Sequence, residues 1–65
     1  MRDRVLAGMK KHLEGKVEYR KVCIENMLEY PDRAGEEIMG IFEKHLEMLA
    51  VEQSKLENLA LFTEF

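Results

Sequence analysis

Two histidines (His12 and His45), one cysteine (Cys23) and two carboxylate pairs a helical turn apart (Glu25/Glu29 and Glu43/Glu47) are the side chains whose types and spacing invite chemistry. A metal ion needs three or four converging ligands. His12, Cys23 and His45 are the soft or borderline donors, and His12 falls many ångströms from His45 along a folded hairpin. The Glu-x-x-His spacing of metal-binding helix bundles is missing, because Met9 stands three residues before His12 and Phe42 three before His45. No metal and no other cofactor is expected.

Catalysis has equally little to work with. The sequence contains no Gly-rich phosphate loop and no nucleophile–base arrangement, and a chain of this size has scarcely room for a pocket. Carboxylates one turn apart on a helix are solvated surface unless burial raises their pKa for acid catalysis. Cys23 reads as a small packed residue at the margin of an apolar stripe. The chain is expected not to be an enzyme.

Charge offers one sharper possibility. Residues 1–21 hold seven Lys/Arg against three acids, whereas residues 22–65 hold three against ten. Complementary faces favouring antiparallel pairing of a basic and an acidic helix explain this simply. A nucleic-acid-binding first helix is the other reading. Against it, Arg2, Arg4, Lys10, Lys11, Lys16, Arg20 and Lys21 scatter around the helix, with Tyr19 the single stacking platform.

The elements that position these residues follow from apolar spacing. Leu6, Met9, Leu13, Val17, Ile24, Met27 and Leu28 recur at three- and four-residue steps and predict a helix over about 3–29. Gly8 and Gly15 weaken it by about 1 kcal/mol each relative to alanine, and mark either tolerated surface or a face open to close backbone approach. Pro31 ends this helix, since it lacks an N–H and disfavours the α conformation at Tyr30. Asp32 is the predicted N-cap of the next, over about 33–62, and a turn spans about 30–33. Ile38, Phe42, His45, Leu49, Glu52/Gln53, Leu56 and Leu59 form its seam, stepping by four and three.

At about 1.5 Å per residue both helices are roughly 40–45 Å long, matched as an antiparallel hairpin requires. The fold class is therefore all-α, a single helical-hairpin domain dimerising into a four-helix bundle. Its hairpin core is predicted as Leu6, Leu13, Val17, Ile24, Ile38, Phe42, Leu49, Leu56 and Leu59. Apolar residues are left over, and Val22, Met48, Val51, Leu61, Phe62 and Phe65 are the predicted interface. With a turn near 32–33, facing residues carry numbers totalling about 65, which sets Arg20 opposite His45. Two facing basic groups would repel if both were charged. Either Arg20 extends past the seam to solvent beside a neutral His45, or a carboxylate such as Glu47, or one from a second subunit, relieves them in a polar layer that fixes register.

Residues 36–59 are similar to the second helix of bacterial exodeoxyribonuclease VII small subunits, through Glu36, Glu37, Phe42, Glu43, Gln53, Lys55 and Leu56. That resemblance implies an accessory-subunit role. His45 stands in place of the family's glycine, and the family's N-terminal helix pattern is missing.

The longest apolar runs are too short to span a membrane, and no signal-peptide core follows Met1-Arg2-Asp3-Arg4, which predicts a cytoplasmic protein. A lone cysteine fits a reducing compartment. Five methionines, 46% hydrophobic and 35% charged residues describe a surface-rich helical protein and not a disordered one. The expected function is a non-catalytic homo-oligomer acting through protein–protein contacts, as adaptor, regulator or subunit of a larger assembly. The alternative is a small nucleic-acid-binding regulator using the basic N-terminal helix.

Overall fold

The computed structural model describes residues 1–29 and 35–63, and they form two packed antiparallel α-helices. Helix α1 spans Arg2–Glu29 and helix α2 spans Glu36–Ala60. Arg2 donates to the Phe62 carbonyl at 3.0 Å and Arg20 to His45 at 3.1 Å, pairs whose numbers total 64 and 65. A constant total along the helices is the register of an antiparallel pair. The rod is 48 Å long and 14 Å across.

The ends of α2 differ from the expected span of about 33–62, while α1 ends at Glu29 as expected. α2 starts at Glu36, with Gly35 in extended conformation (φ −130°, ψ −173°) as its N-cap, a residue with no side chain of its own to cap the helix. The Gly35 carbonyl accepts from Met39 N–H at 3.0 Å, closing the first turn. Glu36 and Glu37 place negative charge at the positive end of the helix dipole. The predicted turn, with Pro31 and the predicted cap Asp32, lies outside the described residues. At the other end α2 stops at Ala60, and Leu61, Phe62 and Thr63 N–H groups bond three residues back at 3.0–3.2 Å. Such tighter bonds satisfy terminal carbonyls where the α-ladder ends.

The core is a narrow seam. Leu13 and Val17 are buried, while Leu6, Ile24, Ile38, Phe42, Leu49, Leu56 and Leu59 are half-buried. Met9 and Leu28, read from the spacing as part of the α1 stripe, are instead exposed. The cause is geometric. One neighbouring helix covers a narrower arc than the stripe of at least about 100° typical of a globular helix, so residues at the stripe's two edges stay outside. Among the described residues no helix is long and apolar enough to cross a membrane.

Candidate functional site

The deepest side chain of the seam is a carboxylate. Glu52 is 1% exposed, and its Oε1 accepts from Arg20 Nε at 3.3 Å across the helix pair. The Arg20 guanidinium also donates from NH1 to His45 Nδ1 at 3.1 Å. His45 and Glu52 sit seven residues apart on α2, so both face the same seam two turns from each other. One arginine thus ties two polar residues of the opposite helix together.

Side-chain lean explains why Arg20 reaches Glu52, although their numbers total more than 65. In a helix the Cα–Cβ bond tilts toward the N-terminus. In an antiparallel pair, Arg20 tilts toward the Val17 level and Glu52 toward the Met48 level, and these two levels coincide. The two side chains converge from opposite directions.

The protonation pattern follows from donor arithmetic. A guanidinium carries donors only, so His45 Nδ1 must present its lone pair and the ring proton resides on Nε2. Glu52 Oε2 is buried with no hydrogen-bond donor among the described residues. Tyr19 stacks outside, with the Arg20 Cζ 5.6 Å from its ring centroid, within reach of a cation–π attraction. The Cys23 thiol, one turn along α1, raises the Tyr19 phenol above its ordinary value of 10.0. Arg20 opposes that shift more weakly.

This arrangement overturns one expectation and completes another. Arg20 does not run out to solvent; it turns inward to His45 and Glu52. The relieving carboxylate is Glu52, whereas Glu47, named from the sequence, is exposed. The signal for Glu52 was present as an acid at a seam position two turns from His45. What the spacing left open was whether Glu52 or Gln53 points inward, and Gln53 is exposed.

Glu52 is sealed from solvent, and among the described residues its hydrogen-bonding cation is Arg20 across the helix pair. Two surface grooves of about 300 Å³ lie near the open end of the hairpin, and neither includes Arg20, His45 or Glu52. The layer suits specification of register instead: slipping either helix by a turn would leave Glu52 buried without its cation.

The remaining singled-out residues scatter. Met48 is half-buried; Val22, Val51, Leu61 and Phe62 are exposed; Phe65 lies outside the described residues. Val5, Met9, Ile41 and Leu46 are exposed apolar side chains that the spacing did not single out as surface. His12 is exposed on α1 and Cys23 is a half-buried free thiol. Among the described residues, no three His, Cys, Asp or Glu side chains gather as a metal site would need. Comparison with known proteins finds no matching family model, no matching curated protein and no matching solved structure.

Proposed function

We propose that this chain is a self-associating helical hairpin that acts through protein contacts, as an adaptor, regulator or subunit of a larger assembly. One observation carries the reading. Among the described residues the hairpin fully buries only two apolar side chains, Leu13 and Val17, yet exposes many large ones, among them Met9, Ile41, Leu46, Val51 and Phe62. A core that small supplies little net stability in a domain of this length. Exposed apolar surface on this scale marks a contact face. Pairing two hairpins into a four-helix bundle would supply both the missing core and the cover.

Sedimentation equilibrium at micromolar concentration tests it, with an expected mass of twice the 7.7 kDa chain. The melting temperature should also rise with protein concentration, because association stabilises the folded state by mass action. A stable monomer with a concentration-independent melt overturns the proposal.

The basic surplus of residues 1–21 supports a second reading, binding of RNA or DNA along α1. Arg2 and Arg20 are engaged within the hairpin, which leaves Arg4, Lys10, Lys11, Lys16 and Lys21 for phosphates. Binding that weakens steeply with salt, and weakens further in a Lys10→Gln/Lys11→Gln/Lys21→Gln variant, supports it. No binding at low salt rejects it.

A further inference from the structure

The seam leaves a second periodic set on each helix. On α1, Val5, Met9, His12, Lys16, Tyr19 and Cys23 recur at alternating steps of four and three. On α2, Ile41, Lys44, Met48, Val51, Lys55 and Asn58 follow the same rule, and Phe62, just beyond the helix end, lies next along the stripe. At about 100° per residue, each stripe stands roughly a quarter-turn from the seam of its own helix. The rotation has the same sense in both, viewed from each N-terminus. Because the helices are antiparallel, a shared sense brings both stripes to one side of the hairpin. The groove lined by Met9, Leu13, Lys55, Asn58, Leu59 and Phe62 is where the two stripes meet.

A helix with two seams a quarter-turn apart is built for two neighbours, as in a four-helix bundle. The hairpin supplies only one. We infer that the second neighbour is another copy of this chain, seated on this side with its α1 against α2 of the first and the twofold axis along the hairpin. The inference rests on the self-association proposed above and adds the face and the arrangement. One side of a rod 48 Å long and 14 Å across offers, once its side chains are included, on the order of the ~800 Å² per partner that standard interfaces bury.

Charge selects the arrangement. The stripes carry three lysines, Lys16, Lys44 and Lys55. With α1 on α2, the register totalling about 65 sets Lys16 beside Met48 and Val51, Lys44 beside Tyr19 and Cys23, and Lys55 beside Met9 and His12. Each ammonium then lies against apolar or aromatic surface along which its stem can run to water. With the axis across the hairpin, α1 lies on α1 and α2 on α2. Lys16 would then meet its own copy and Lys44 would meet Lys55, and such like-charge contacts are disfavoured.

Matched substitutions test the face. Ile41 and Leu46 are 42% and 45% exposed on α2 but lie on opposite sides of the hairpin. In sedimentation equilibrium of the full chain, Ile41→Glu should raise the dimer dissociation constant roughly tenfold or more, and Leu46→Glu should leave it unchanged. Val51→Glu, farther from the seam, repeats the test without burdening the hairpin core, and circular dichroism checks that each variant stays helical. A monomeric wild type overturns self-association altogether. A dimer broken by Leu46→Glu but not by Ile41→Glu or Val51→Glu overturns this face while leaving self-association standing. Lys44→Glu reads the arrangement: no gain in affinity is expected, whereas a tighter dimer at low salt would place α2 on α2, with the new acid facing Lys55.

Discussion

Arg20 on α1 holds Glu52 on α2 through an Nε–Oε1 contact of 3.3 Å, joining a part-exposed guanidinium to a fully buried carboxylate. The most deeply buried side chain among the described residues is therefore an acid held from the opposite helix. Breaking such a pair costs more than the pair itself contributes, because the buried charge is left behind.

Arg20→Met should accordingly destabilise the protein by about 3 kcal/mol, a large fraction of what so short a chain has. Adding Glu52→Leu removes the stranded carboxylate and should restore stability to near the wild-type level or above. Urea melts of the single and double variants check this. An Arg20→Met midpoint equal to wild type would show that the pair does not support the fold.

The acceptor role of His45 is directly observable. Nitrogen-15 chemical shifts at neutral pH should show the ring proton on Nε2 of His45, with Nδ1 carrying the lone pair that faces Arg20. Exposed His12 serves as the internal reference. A proton found on Nδ1 of His45 is incompatible with the bond from Arg20.

The glycines of α1 give a prediction of opposite sign. A methyl group added at Gly8 or Gly15 meets no atom within 4 Å. Gly8→Ala and Gly15→Ala should each stabilise the helix by about 0.5–1 kcal/mol, through lower backbone entropy in the unfolded chain. A loss of stability would place a close backbone neighbour against this face, in the assembled protein.

Tyr19 gives a pH-dependent prediction. Its phenol is raised above the usual 10.0, chiefly by the neighbouring Cys23 thiol. The folded state keeps its proton at a pH where the unfolded chain has lost it. Stability from this group is thus complete below about pH 10 and is lost as pH rises through the raised value. In a Tyr30→Phe background, absorbance titration should find Tyr19 above the ordinary range, and Cys23→Ala should bring it down. An unchanged titration on removing Cys23 would rule out the sulfur as the cause.

Much of the fold is written in local spacing. The four-and-three steps of Leu6, Leu13, Val17 and Ile24, and of Ile38, Phe42, Leu49 and Leu56, encode two helices with one seam each. Matched lengths around Pro31 encode their antiparallel pairing and a register total near 65, which the Arg2–Phe62 and Arg20–His45 contacts show. These features are legible because backbone periodicity depends on neighbours within a turn or two.

What the tertiary structure decided lies beyond that range. Spacing places Met9 and Leu28 on the α1 stripe, but the arc that one partner helix covers leaves both exposed. Spacing sets Arg20 opposite His45 and offers Glu52 or Gln53 at a seam position. It does not say which carboxylate an arginine reaching along the seam will find. That choice depends on two side chains leaning toward opposite helix ends and meeting at a common level, a geometry that exists only once the helices are packed. Glu52 instead of Glu47 is the result, and with it a buried charge at the centre of a seam otherwise read as apolar.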